Sequence, residues 1–244
     1  MIQATETKDL DGKQRRENPI VSLVVNIVIP ALILKKLSGP DHLGPLLGLA
    51  LALACPLMYG LWDFLSAKRW NIISMLGLVS ILLTGGIGMF KLPTHWIAIK
   101  EAAIPGIIGI AIIASLRTRF SLINKLLYNE AIFNLQLIEE ALQKKGGQES
   151  FQKLLARSSY IVAASFFLSS ILNFILAKVI VHSDPGSVSF NEELGTMTAL
   201  SYPVIVVPSM LVLMLALWQL LSGIKKLTGL DIEKIFHTKG GSKP

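Results

Sequence analysis

WIAIKEAAIPGIIGIAIIASL, residues 96–116, is a run of 21 residues in which only Lys100 and Glu101 carry a charge. A helix of this length rises about 30 Å, which matches the hydrocarbon core of a bilayer. Tryptophan is enriched where membrane meets water, so Trp96 suits one end of such a helix. The stretch therefore predicts a transmembrane span.

Five other apolar runs have spanning length, and charged segments separate most of them. They cover residues 20–37, 44–62, 72–90, 158–181 and 202–223. The 244-residue chain is 52% hydrophobic and only 16% charged, whereas soluble domains average about 25% charged residues. We therefore predict an all-α fold, a polytopic transmembrane bundle of six spans with one cytoplasmic amphipathic helix.

The distribution of Lys and Arg predicts the orientation of these spans. Eighteen of the 23 basic residues fall in residues 1–19, 63–71, 116–157 and 224–244, and cytoplasmic loops carry such an excess. We expect a bacterial inner-membrane protein with both termini in the cytoplasm. Its predicted parts are a polar cytoplasmic tail (1–18), spans one to four (19–116), a cytoplasmic insertion (117–157), spans five and six (158–223) and a basic cytoplasmic tail (224–244).

Composition also argues against several classes of function. The net charge is +7, but aromatic residues are sparse near the basic ones and no basic stretch is long enough to follow a phosphate backbone. We expect membrane lipids as partners and no nucleic acid. The only cysteine is Cys55 and the four histidines are scattered. No metal-ligand spacing, phosphate loop or nucleophile–base motif is present, so we predict a non-enzyme with no catalytic residue, metal or cofactor.

Two ionisable residues interrupt the fourth span. A charge at the centre of a span costs about 2.5–3.5 kcal/mol on insertion scales, so each needs a physical reason. Adjacent residues on a helix point about 100° apart, which predicts that Lys100 and Glu101 do not pair directly. Lys100 is expected to extend its stem outward to the interface. Glu101 either finds a partner inside the bundle or lies hydrated near the headgroups.

Other polar side chains are predicted at a similar depth. Asn173 in span five, Thr84 in span three and Ser209 in span six are candidates for one polar layer with Glu101. Asn26 in span one is expected to bridge two helices by a hydrogen bond rather than to bind a ligand.

A short motif occurs in two spans. Asn26 precedes Pro30 by four residues, and Glu101 precedes Pro105 by the same spacing. The motifs lie three spans apart, in spans one and four, so they run in opposite directions, as in the inverted repeats of secondary transporters. Prolines also remove backbone hydrogen bonds, which predicts kinks in spans one, two, four and six at residues 30, 56, 105, 203 and 208.

The cytoplasmic insertion contains a pattern of helical period. Residues 120–144 place apolar side chains on one stripe and end at Gly146-Gly147, a helix stop signal. We predict one amphipathic helix there, lying on the membrane or docked under the bundle. Glu130 and Asn134 interrupt its apolar face, and a functional role and a structural hydrogen bond both remain open for this pair.

Several motifs between residues 63 and 173 resemble a known family. They are the basic turn Lys68-Arg69, Leu83-Thr84-Gly85-Gly86 in span three, Lys100 opening span four, the segment from Phe120 to Glu130, and Ser170-Ile-Leu-Asn173-Phe in span five. Together they resemble the intracellular septation protein A family of small bacterial inner-membrane proteins, with this chain in an uncharacterised proteobacterial branch. The chain differs by a longer N-terminus, a longer cytoplasmic insertion, and Pro30, Pro56 and Pro105.

Two functions follow as expectations. The resemblance implies a non-enzymatic role in cell-envelope maintenance or division, with envelope or division proteins as partners. The embedded Glu101, the proline-containing spans and the possible inverted repeat favour instead a secondary transporter or a lipid-handling protein.

Overall fold

The computed structural model describes residues 24–67, 72–116 and 133–236, apart from the side chains of residues 63–67 and 72–75. Helices and the turns between them make up these segments. Within the described part no β-strand forms, and the β-structure amounts to an isolated bridge between Phe133 and Phe236. The predicted all-α class is confirmed.

The helices are labelled here in chain order. Helix α1 comprises Val24–Val28, Ile29–Leu32 and Ile33–Leu37; α2 is Gly44–Ala67, α3 is Ile72–Met89, α4 is His95–Ser115, α5 is Leu135–Lys145, α6 is Gln148–Ile180, α7 is Val188–Ser201, α8 is Val207–Thr228 and α9 is Ile232–Ile235. The π-helical turn Tyr202–Val206 joins α7 to α8 in one continuous helix of 41 residues.

Four of the described helices are long and apolar enough to cross a bilayer: Gly44–Trp62, His95–Ser115, Gln148–Ile180 and Val188–Thr228. Only 17–28% of the residues in their most apolar windows are buried inside the protein. Their apolar side chains therefore face outward, which water disfavours and lipid accommodates. The chain is a membrane protein. The count of six spans stays a prediction, because α1 is described only from Val24 and the side chains of α3 only over Leu76–Met89, which is shorter than a span.

Prolines widen the helix in two places. In α1, the α-helical stretch that contains Pro30 lies between two π-helical stretches, and Pro203 lies in the π-helical turn before α8. A proline cannot donate to the carbonyl four residues earlier, and a π-turn is one way in which the backbone adapts. Pro56 and Pro105, in contrast, lie inside continuous helices. The two motifs of the possible inverted repeat thus differ in local backbone structure.

The helices pack in two groups. Helix α4 packs along α6, which packs along α8, while α2 packs against α3 and α1. Helix α7 links the groups, because it contacts α1, α2 and α6. Among the described residues α8 contacts α5, α6, α9 and the π-turn before it, and does not approach α1, α2 or α3. Helix α3 also packs against α4, so α7 and the α3–α4 contact together join the two groups.

Two hydrophobic cores lie at opposite ends of the bundle, and we name them the α7-end core and the α5-end core. The α7-end core draws on α1 to α4, α6 and α7: Ile33, Leu34, Leu49, Ala52, Ile87, Ile97, Ala98, Leu176, Ala177, Val181, Phe190, Leu194, Met197 and Ile205. The α5-end core draws on α4 to α6, α8 and α9: Ile112, Phe133, Ile138, Leu142, Phe151, Leu155, Val162, Ala163, Ala216, Leu220, Ile224 and Ile235.

The prediction of one uninterrupted helix over residues 120–144 is wrong at residues 133 and 134. Helix α5 begins at Leu135, and the Asn134 side chain caps it by accepting a hydrogen bond from the Leu137 amide at 3.3 Å. Asparagine competes with the backbone inside helices and is favoured at such caps, which explains the break. Ile138 and Leu142 are buried in the α5-end core, so α5 is docked on protein. Glu130 lies outside the described residues.

Residues 182–201, which lie between the predicted spans five and six, contain helix α7. The Ser187 side chain caps this helix by accepting from the Phe190 amide at 3.1 Å. Phe190 and Leu194 are fully or almost fully buried in the α7-end core. Only every third or fourth residue of α7 is apolar and buried, and Glu192 and Glu193 separate them, so its hydropathy did not indicate a span.

Candidate functional site

Lys100 and Glu101 form an ion pair inside the bundle. The Lys100 Nζ lies 2.6 Å from Glu101 Oε1, and the side chains keep 7% and 25% of their surfaces exposed. The prediction that these neighbours do not pair is therefore wrong. The Cα–Cβ bonds of the two residues do diverge by about 100°. The flexible four-carbon stem of lysine nevertheless brings its ammonium back to the Glu101 carboxylate.

The ammonium also binds the neighbouring helix α3. Lys100 Nζ donates to Ser80 Oγ at 3.2 Å. Ser80 is the ninth of the 18 residues of α3, so the charge lies level with the middle of that helix. The expected outward extension of Lys100 is wrong as well. Its hydrogen-bonding partners lie inside the bundle, and burial of the side chain follows from reaching them.

The backbone of α4 is modified just beyond the pair. Pro105 has no amide hydrogen, so it cannot donate to the Glu101 carbonyl one turn earlier. On the opposite side, the Ser170 hydroxyl of α6 donates to the Ala102 carbonyl at 2.7 Å. A Cβ atom added to Gly106 would lie 3.2 Å from Ser170 Oγ, so glycine permits this close approach of α4 and α6.

The predicted polar layer has different members. Asn173 Nδ2 donates within its own helix, to the Ser169 carbonyl at 2.8 Å, and Thr84 donates to the Ser80 carbonyl at 3.0 Å. Ser209 Oγ is buried without a hydrogen-bond partner. None of these three bonds to Glu101. Ser80 and Ser170, which hydropathy did not distinguish from other serines, are the polar groups that the structure brings to this level.

The remaining sequence candidates lie elsewhere. Asn26 is half-buried in α1. Asn134 caps α5, at the far end of α4 from the charged pair, and this bond gives it a structural role. The structure therefore pairs two of the six candidates, Lys100 and Glu101, whereas Asn26 and Asn134 lie away from them and Asn173 bonds within its own helix.

Sequence reasoning missed a buried asparagine at the α7 end. Asn191 has no exposed surface, and its Nδ2 donates to Ser38 Oγ at 3.0 Å and to the Pro45 carbonyl at 2.6 Å. These bonds tie α7 to the turn between α1 and α2. Its Oδ1 atom is buried without a hydrogen-bond partner. Asn191 lies 153 positions along the chain from Ser38, so no local pattern indicates the contact.

Glu193 forms a second polar cluster at the α7 end. Its carboxylate accepts from the amides of His182 and Ser183, each at 2.9 Å, and from the Ser183 hydroxyl at 2.7 Å. Burial raises the pKa of the Glu193 carboxyl, but these bonds and the charge of His182 outweigh burial and hold the pKa below its usual value. The 41-residue helix rises about 60 Å, twice the thickness of the bilayer core, and Glu193 lies near its start, before the predicted span 202–223.

A small cavity of about 240 Å³ opens between α5 and the start of α6. Its walls combine polar and apolar side chains: Glu139, Leu142, Gln143, Gln148, Phe151, Gln152 and Leu155. Small-molecule sites usually exceed about 300 Å³. The four polar residues of the wall are all exposed, so the cavity is a shallow surface cleft. The buried pair in α4 is the stronger candidate for function.

Comparison with other proteins identifies no relative: no protein-family model, curated protein or solved structure matches the chain. Within the described segments, no three His, Cys, Asp or Glu side chains are grouped so that they could hold a metal ion. The Lys100–Glu101 pair and its surroundings are therefore the candidate functional site of the described segments.

Proposed function

We propose that this chain is a non-enzymatic membrane protein that carries or holds a ligand within the bilayer, as a secondary transporter or a lipid-handling protein, with Lys100 and Glu101 at its centre. The observation that supports this most is the burial of the Lys100 ammonium level with the middle of α3. Ionisable groups at such depth usually mark ligand or ion pathways.

Stability alone gives no reason for this pair. A buried ion pair seldom stabilises a protein more than apolar side chains of similar size do. Glu101 also keeps a quarter of its side chain exposed, so this level of the bundle is not packed solid around it. A ligand that approaches from the exposed side would meet the carboxylate first. Such a function needs no catalytic residue, cofactor, structural metal or nucleic acid.

A double substitution tests this centre. Lys100→Met with Glu101→Leu removes both charges together, so neither is left unpaired in the bundle. We expect this variant to be inserted and folded but to fail to complement a deletion strain. The matched control is Lys36→Met with Glu192→Leu, because both of these side chains are exposed. Full complementation by the folded Lys100/Glu101 variant would rule out the pair as the functional centre.

A second candidate is a role in cell-envelope maintenance or division through lipids and protein partners. The resemblance to the septation protein A family supports it, and so does the docked assembly of α5 and α9, which offers a folded surface beside exposed Lys144, Lys225 and Lys226. Deletion of the gene should then change cell length or sensitivity to osmotic and antibiotic stress. A deletion strain that is normal in all three measurements would contradict this candidate.

The proposed location is a bacterial inner membrane with both termini in the cytoplasm. The excess of Lys and Arg in the segments around α5 and α9 supports this orientation. The α5-end core would then lie at the cytoplasmic side, and α7 at the outer side.

A further inference from the structure

Two oxygen atoms accept hydrogen bonds from the Lys100 ammonium. It lies 2.6 Å from Glu101 Oε1 and 3.2 Å from Ser80 Oγ. Carboxylate and hydroxyl oxygens are also the groups that bind hard metal cations. In chemical terms, the lysine side chain is a monovalent cation that occupies an oxygen-lined position inside the bundle.

The backbone adds further oxygen at the same level. Pro105 deprives the Glu101 carbonyl of its helical donor. In transporters, backbone carbonyls that have lost their helical hydrogen-bond donor coordinate sodium ions or protons near the middle of the membrane. Ser170 contributes a hydroxyl group that reaches the next carbonyl, that of Ala102, at 2.7 Å. This chemistry suits a cation better than an anion.

The exposure of the two charged residues also favours a cation as the ligand. Glu101 is 25% exposed and Lys100 only 7%. A ligand that enters from the exposed side meets the carboxylate before the ammonium. Repulsion by Glu101 would oppose an approaching anion, whereas it would attract a cation.

Building on the proposed function, we infer that the ligand is a monovalent cation that exchanges with the Lys100 ammonium at Glu101. When the cation binds the carboxylate, an N–H bond of the ammonium breaks, the electron pair stays on Nζ, and the proton leaves to water. In both states one ionised carboxylate pairs with one cation, so the buried site keeps a net charge of zero. One proton is released for each cation bound, and the exchange is electroneutral.

The experiment uses the full chain in proteoliposomes that contain the pH dye pyranine. Sodium gluconate or potassium gluconate is added outside, with choline gluconate as the control for ionic strength. We expect sodium or potassium, but not choline, to raise the internal pH as protons leave against the entering cation. Glu101→Gln should abolish the change. Lys100→Arg keeps the ion pair but cannot lose its proton at physiological pH, so it should fold and show no exchange.

Lys100→Met gives a sharper result, provided that it elutes as a folded protein in size-exclusion chromatography. Without the ammonium no proton is released on binding, so uptake of the radioactive cation should persist while the internal pH stays constant. Lys36→Met and Glu192→Gln, at exposed positions, should behave as the unchanged protein does.

Three outcomes would overturn the inference: no pH change with sodium or potassium, exchange by Lys100→Arg at the unchanged rate, or internal acidification driven by an inward gradient of succinate. Failure of the proposed function looks different. Cation exchange could be absent while the folded Lys100/Glu101 double variant still fails to complement the deletion strain. The inference of a monovalent cation would then be wrong, and the proposal that the pair is the functional centre would be retained.

Discussion

At the scale of single residues, the Lys100–Glu101 pair illustrates how a membrane protein can keep charge at depth. Each charge satisfies the other, and Ser80 adds a further acceptor for the ammonium. Removing both charges costs little because their desolvation is removed as well, whereas removing one leaves an uncompensated ion. The effects of substituting Lys100 and Glu101 on the free energy of unfolding should therefore not be additive.

Lys100→Met alone should lower the free energy of unfolding by about 3–5 kcal/mol, because it leaves Glu101 without its partner. Lys100→Met combined with Glu101→Leu should recover most of that loss. Melting midpoints in detergent measure both effects. Lys36→Met, at an exposed position, should change the midpoint little. If the double variant is as unstable as the single one, the pair is not electrostatically coupled.

The Glu193 cluster should make stability depend on pH. Because the folded-state pKa of Glu193 lies below the usual pKa of a glutamate, ionised Glu193 stabilises the fold above that usual value. This contribution is lost as pH falls through the lower folded-state pKa. The difference in melting midpoint between the unchanged protein and Glu193→Gln should therefore be large at pH 6 and shrink in acid. Glu192→Gln, at an exposed position, should show a small and constant difference.

Sequence reasoning identified Lys100 and Glu101 because no other charge falls within residues 96–116. It failed on their partners. The angle between neighbouring residues on a helix determines where their Cβ atoms point, but the long lysine side chain can still reach across that angle. The contact of Lys100 with Ser80 depends on how α3 and α4 pack, which the sequence does not show. Asn191 was missed for a similar reason, since its partners are more than 140 positions away.

At the scale of elements, α7 is held to α1 by close backbone approach. A Cβ atom added to Gly195 would lie 3.0 Å from the Ala31 carbonyl oxygen and 3.2 Å from Leu34 Cβ. Asn191 reinforces the same contact by bonding the turn after α1. The part of this link that α7 makes therefore depends on a small residue, Gly195, and a buried amide, that of Asn191.

Gly195→Ala should destabilise the protein by about 1–3 kcal/mol, because the added methyl group forces α7 away from α1. Gly77→Ala is the matched control, since nothing lies within 4 Å of the added Cβ atom. Alanine favours helix over glycine, so this control should be neutral or stabilising. Equal melting midpoints for the two variants would contradict the close approach.

Helix α9 offers a second matched pair. Ile235 has no exposed surface and Ile232 is 45% exposed. Ile235→Ala should cost about 2–5 kcal/mol through the lost burial and the cavity left behind, whereas Ile232→Ala should cost little. Limited proteolysis should cut the C-terminal segment faster in the first variant. Identical cleavage rates would show that α9 is not anchored through Ile235.

The elements were predictable to different degrees. Apolar runs of spanning length predicted α2, α4 and α6 well, because lipid requires a long continuous helix. They did not predict α7, whose buried residues alternate with acidic ones. The break at Asn134 was missed because a helical stripe continues through it, although asparagine favours a cap.

At the scale of the whole molecule, orientation is the prediction with the widest consequences. After replacement of Cys55, single cysteines placed at the exposed positions Asp184 and Gln148 can be labelled in intact cells. We expect an impermeant maleimide to label position 184 and to leave position 148 unlabelled until the membrane is permeabilised. Labelling of position 148 in intact cells would reverse the proposed topology.

The bridge between Phe133 and Phe236 bears on how the chain is made. The two rings stack with centroids 5.4 Å apart, and the Asn134 amide donates to the Ile235 carbonyl at 2.9 Å. Synthesis proceeds from the N-terminus, and the ribosome holds the newest residues. The α7-end core can close once Ile205 has emerged, but the α5-end core has to wait for Ile235. The insertion machinery therefore receives a half-finished protein, in which α5 lacks its contacts with α8 and α9 until translation is nearly complete.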